Sequence, residues 1–162
     1  MTQKNFFDFN IENFKLFLIK DLAVEEKKAS MRSKQIWEFV YKKGFFKIND
    51  LTSLPIELRS KLTNLISLQK PKIIKKQTSN DGTIKWLIQL FDKNEVECVY
   101  IPEKTRATLC ISSQVGCTLN CKFCHTGTQR LVKNLHFAEI VNQVMIAKEQ
   151  LNDWSEQKKI TN

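Results

Sequence analysis

Cys110-Ile-Ser-Ser-Gln-Val-Gly116-Cys117-Thr-Leu-Asn-Cys121-Lys-Phe-Cys124-His125-Thr-Gly127 sets three thiols, Cys117, Cys121 and Cys124, at the spacing C-x3-C-x2-C. Three thiolates this close can reach three corners of one cubane iron–sulfur cluster, which then keeps one iron open. In radical chemistry such an iron holds S-adenosylmethionine, and an electron from the cluster breaks the sulfonium bond. Phe123, between the last two thiols, is expected to shield the cluster from water. A zinc site is the alternative, with Cys110 or His125 closing a tetrahedron. Structural zinc sites usually pair two ligand knuckles, and this chain has no second C-x2-C or H-x3-H. His125 reads as a core or supporting histidine rather than a ligand.

On either side of the loop the hydrophobic period changes. Ala107 to Ser112 predicts a strand running straight into the cysteines, and Phe137, Ile140, Val141, Val144 and Ala147 to Leu151 predict one helix after them. Further back, Glu95 to Ile101 and the alternation Ile84, Trp86, Ile88, Leu90 predict strands, and Lys72 to Gln77 a short basic one. Ser79-Asn80-Asp81-Gly82 is a hairpin signal, with Asp-Gly expected to supply positive φ angles. Before Lys70 the period is helical. Ile11, Phe14, Leu18 and Leu22 share one face; a second helix is expected from about Arg32 to Lys43, stopped by Gly44; a third starts near Pro55, with Leu54, Leu58, Leu62, Leu65 and Ile66 as its stripe. The expected fold class is α+β passing into α/β. A small helical domain spans 1–70, an antiparallel β extension 71–103, and a strand–Cys loop–helix unit 104–162.

Lys plus Arg exceed Asp plus Glu by nine. Such an excess suits a polyanion, nucleic acid first, although a solvated lysine face is the ordinary alternative. Lys70, Lys72, Lys75 and Lys76 form one cluster and Lys42, Lys43 and Lys47 another. Trp37, Phe39 and Trp86 read as core aromatics rather than stacking platforms. No run approaches the roughly 20 apolar residues of a membrane span, and the N-terminus lacks a signal layout. The chain is therefore expected in the cytoplasm, where five cysteines are metal ligands or catalysts more often than disulfides.

The wider segment Tyr100-Ile-Pro-Glu, Arg106-Ala-Thr-Leu-Cys110-Ile-Ser-Ser-Gln-Val-Gly-Cys117, Cys121-Lys-Phe-Cys124, Asn134-Leu135 and Glu139-Ile-Val-Asn-Gln143-Val closely resembles the RlmN/Cfr family of radical S-adenosylmethionine RNA methyltransferases. Arg32-Ser-Lys-Gln-Ile-Trp-Glu-Phe-Val-Tyr-Lys-Lys-Gly44 and Leu51-Thr-Ser-Leu-Pro-Ile-Glu-Leu-Arg59 resemble its N-terminal helical domain. The resemblance implies a [4Fe-4S] cluster on Cys117, Cys121 and Cys124, S-adenosylmethionine as cosubstrate, a reducing electron donor, and the start of a radical-SAM partial barrel. Its implied target is carbon 2 of an adenosine in large-subunit ribosomal RNA, and in some members transfer RNA. That carbon lies between two ring nitrogens and is too electron-poor for ordinary methyl transfer. By the same resemblance one cysteine carries the methyl group, Cys110 matches the cysteine that resolves the protein–RNA bond, and Glu97 matches the acid–base glutamate. Read alone, Cys110 is a strand thiol and Glu97 an ordinary strand carboxylate. Cys98 has no role to carry over and reads as a core thiol.

The chain also departs from the family. The Gly-Glu-Pro segment that grips S-adenosylmethionine and the methyl-carrying cysteine are not in it. The chain alone is therefore expected to be inactive, either a truncated product or one half of a split enzyme with a separate C-terminal half; an RNA-binding fragment bearing a metal or cluster, without catalysis, is the second reading, and a decayed product without function the third. Ile140, Val144 and Leu151 are expected to be exposed for want of barrel neighbours. His136 stands where Thr usually caps the helix, at a cost of about 1 kcal/mol, with Glu139 as its box partner. Arg130 and Lys133 stand where the family often has Gly and Arg.

Overall fold

A computed structural model describes residues 3–117 and 130–162. The chain forms two compact units, Met1–Gln69 and Lys70–Asn162. Among the described residues no helix is long and apolar enough to cross a membrane.

The first unit packs three helices on an aromatic centre. Asn10 caps α1 (Ile11–Lys20) by accepting from the Asn13 amide at 2.7 Å. Helix α2 (Glu26–Tyr41) begins six residues before the expected Arg32. Its first turns, Glu26 to Met31, carry mostly polar helix formers with no apolar period, so propensity rather than pattern sets that start. Gly44 ends the segment as expected, at φ 71°. Pro55 precedes α3 (Ile56–Leu65). The parallel pairing of β1 (Lys4–Asn5) with β2 (Ile66–Ser67) joins the two ends of the unit. Phe6, Phe7, Phe14, Leu18, Val40, Leu51 and Leu62 are buried. Phe6 meets Phe14 edge-on at 5.0 Å and Trp37 at 5.3 Å between ring centroids.

The second unit is built on a four-stranded antiparallel sheet in the order β3 (Lys72–Thr78), β4 (Ile84–Gln89), β5 (Glu95–Pro102), β6 (Ala107–Cys110). The sheet therefore takes in segments on both sides of residue 103. Pro102 sits at the end of β5, where a missing N–H costs little. At the first hairpin only Gly82 takes a positive φ, 84°; Asp81 instead accepts from the Thr83 amide at 3.0 Å. Strand β6 ends at Cys110, short of the expected Ser112. The chain then enters a separate ribbon, β7 (Gln114–Val115) paired with β8 (Lys133–Asn134), so the strand does not run straight into the cysteines.

Helix α4 (Phe137–Leu151) closes the core of this unit. Trp86, Ile88, Val96, Cys98 and Leu109 from the sheet join Ile146 and Ala147 from α4. Ile140, Val144 and Leu151 are partly buried against that cluster, not exposed as expected, because the sheet itself covers the stripe. Glu139 Oε2 accepts from the His136 amide at 2.8 Å, so the carboxylate half of the capping box is made. Asn152 ends the helix in the left-handed region at φ 52°. The chain then returns beside β6. Thr161 exchanges hydrogen bonds with Ala107, and Asn162 with Leu109, so both segments run in the same direction along that edge.

Candidate catalytic face and cluster loop

Side chains alternate along a strand, so register decides which of them share a face. Lys85 pairs with Val99, and Val99 with Cys110; Leu87 pairs with Glu97. Lys85, Leu87, Glu97, Val99 and Cys110 therefore stand on one face, while Trp86, Ile88, Val96, Cys98 and Leu109 are buried on the other. Glu97 and Cys110 are both exposed and lie diagonally across neighbouring strands, an arrangement that typically separates residues by about 7–8 Å. Lys85 Nζ lies 2.9 Å from Glu97 Oε1.

Cys98 is fully buried, and burial first, then the neighbouring Cys110, pushes its thiol up to about 12. It stays protonated at neutral pH and is chemically quiet; Cys110, by contrast, is exposed.

The cysteine loop is pinned at its base. Cys117, half-buried, forms a parallel bridge with Arg130, which joins the two described ends flanking the loop. Gly116 permits this. Its φ is 77°, and a Cβ there would stand 2.2 Å from the Arg130 carbonyl oxygen. Cys121, Cys124 and His125 lie outside the described residues. Among the described residues no group of three His, Cys, Asp or Glu side chains could hold a metal. The donor set still fits an iron–sulfur cluster: thiolates are soft ligands, and Cys117 is presented at the mouth of the loop that carries the other two.

The supporting contacts of three residues, Gln143, Ser112 and Lys133, were not legible in the sequence. The Gln143 amide is fully buried and clasps the Ser112 backbone twice, accepting from its N–H at 2.8 Å and donating to its carbonyl at 2.8 Å. Ser112 Oγ in turn donates to the Glu97 carbonyl at 2.8 Å. Helix α4 is thus tied through Ser112 to both the strand of Glu97 and the segment leaving Cys110. At the loop's exit, Lys133 pairs with Asp92 and with Glu139, the latter at 2.7 Å. Only the Gln143-Val pattern and the Lys133 position could have drawn notice in sequence; neither names its partner. Of the two basic clusters, Lys72, Lys75 and Lys76 are exposed, but Lys70 is mostly buried and paired with Glu149 at 2.7 Å. Lys42 pairs with Glu38, and Lys43 sits over the Phe39 ring.

No protein-family model matches the chain. It is 49% identical over 142 residues to the dual-specificity RNA methyltransferase RlmN of Bradyrhizobium sp. strain ORS 278, covering 84% of this chain and 35% of that protein. It is 50% identical over 139 residues to RlmN of Rhodopseudomonas palustris strain BisA53, covering 82% and 34%. A radical SAM methyltransferase from Sphaerobacter thermophilus superposes with a TM-score of 0.82 at 30% identity, over 98% of this chain and 45% of that one. The chain thus spans about a third of the length of the curated relatives it matches. Sequence and fold together place it in the RlmN family of RNA methyltransferases, as their N-terminal portion.

Proposed function

We propose that this chain supplies the RNA-binding region, the cluster ligands and two catalytic side chains of a radical S-adenosylmethionine RNA methyltransferase. The observation that carries the reading is the common exposed face of Glu97 and Cys110, on two neighbouring strands of one sheet, with Cys110 seven residues before Cys117 in the chain. A [4Fe-4S] cluster on Cys117, Cys121 and Cys124 would bind S-adenosylmethionine at its open iron and deliver the electron that cleaves the sulfonium. The target is carbon 2 of adenosine in ribosomal RNA, and transfer RNA is a second substrate. Glu97 moves the proton at that carbon and Cys110 resolves the protein–RNA bond. The unit of residues 1–69 and the exposed lysines Lys72, Lys75 and Lys76 contact RNA phosphates, which position without reading sequence. A target adenosine must leave its stack to reach the face. The grip on S-adenosylmethionine and the methyl-carrying cysteine come from the portion of the family outside these residues, so turnover requires that portion. A reducing, cytoplasmic setting suits thiols in these roles.

The test joins this chain to the remaining portion of the Bradyrhizobium relative and measures 2-methyladenosine in ribosomal and transfer RNA by mass spectrometry. The reading expects product from the parent chimera, none from Glu97→Gln, and RNA left covalently attached by Cys110→Ala. A parent that makes product while both variants do so equally well sinks the assigned roles.

A further inference from the structure

We infer that Lys85 is a phosphate-binding residue of the catalytic face, held by Glu97 until RNA takes it over. The inference rests on the reading of this face as the RNA-modifying one, and adds to it a residue that neither motif nor charge cluster singled out.

Lys85 sits in β4, a central strand with neighbours on both sides, where lysine is a poor strand former. It stands in the row Gln77, Lys85, Val99, Cys110, one row from Leu87 and Glu97. Leu87 and Val99 are half-buried, so the ammonium rises from a partly apolar floor, and charge attraction there is stronger than in bulk water. The Lys85 and Glu97 side chains remain 41% and 49% exposed. An ion pair this open is weak and exchanges readily. The other charged groups placed on this face by register are Lys72, Lys75 and Glu95. With Glu97 engaged by Lys85, the paired charges cancel. A phosphate that captures Lys85 adds a contact and releases the Glu97 carboxylate beside Cys110. Binding of RNA and release of the acid–base group become one event.

The experiment measures affinity of the chain for a short stem-loop RNA with adenosines in its loop, across a salt series, for the parent, Lys85→Gln, Glu97→Gln, the double variant and Glu95→Gln. Melting of each variant checks that the fold is kept. Lys85→Gln should weaken binding roughly five- to tenfold and flatten the log–log salt slope by about 0.7–0.9. Glu97→Gln should tighten binding about two- to fivefold, the range an exposed pair allows. That tightening should vanish in the Lys85→Gln background. Glu95→Gln makes the same charge change on the same face at a carboxylate with no lysine partner among the described residues, and should show no coupling to Lys85. Tightening by Glu97→Gln that persists without Lys85, or is matched by Glu95→Gln, overturns the sharing and leaves the wider reading intact. A parent chain with no affinity for RNA overturns both.

Discussion

Replacing Gln143 with Leu keeps the side chain's bulk and removes only its amide. Gln143 is fully buried, and its two 2.8 Å hydrogen bonds serve the N–H and carbonyl of Ser112. Each backbone group left unserved costs about 1–3 kcal/mol. Ser112 is half-buried, so water recovers part of that, and the buried leucine returns roughly 1 kcal/mol. The expected net loss is therefore about 1–3 kcal/mol, confined to the unit Lys70–Asn162. Urea unfolding read by labelling of the buried Cys98 thiol reports on that unit alone, because Cys98 lies in its core. Hydrogen exchange at the Ser112 amide should rise in parallel. A midpoint shift equivalent to less than about 0.5 kcal/mol, the scatter of ordinary surface substitutions, would refute the idea that this clasp holds the segment between Cys110 and Cys117.

Other expectations follow from the same geometry. Gly116→Ala combines a left-handed φ with a Cβ 2.2 Å from a backbone oxygen, so it should cost at least about 1–3 kcal/mol; loss of protection at the Val132 amide, which donates to Val115, would report the opened ribbon. The hydrogen bond from Lys133 lowers the Asp92 carboxyl from 3.8 to about 2. Its folded value lies below its unfolded one, so the stabilisation is present above about pH 4 and lost as pH falls toward 2. Asp92 is more than a third exposed, which keeps the effect under about 1 kcal/mol; Asp92→Asn should flatten that stretch of a urea-midpoint profile, and an unchanged profile counts against the pair. In native protein, iodoacetamide followed by peptide mass spectrometry should modify Cys110 well before Cys98, and equal rates would contradict the burial of Cys98.

Features carried by local chemistry were legible before the structure. The alternation from Ile84 to Leu90 put Trp86 and Ile88 inward, the apolar stripe of α4 gave both its bounds, and Gly44 and Gly82 marked their turns at positive φ. Features that depend on distant partners were not. The first six residues of α2 carry no apolar period to announce them. The β7–β8 ribbon is two residues a side and closes across the cysteine loop, so nothing local encodes it. Gln143 and Lys85 are ordinary polar residues until register and helix docking bring them to Ser112 and Glu97. Lys70 looked like part of a basic patch because Lys72, Lys75 and Lys76 follow it closely in sequence, yet it is mostly buried and paired with Glu149, far along the chain.

The central claim is that Cys117, Cys121 and Cys124 hold a radical-type cluster. Purification without oxygen, reconstitution with iron and sulfide, and assay of iron, sulfide and zinc test it directly, beside the Cys117→Ala, Cys121→Ala, Cys124→Ala triple variant. About four irons and four sulfides per chain, lost in the variant, are expected. One zinc and no sulfide would contradict it and make the loop a structural metal site instead.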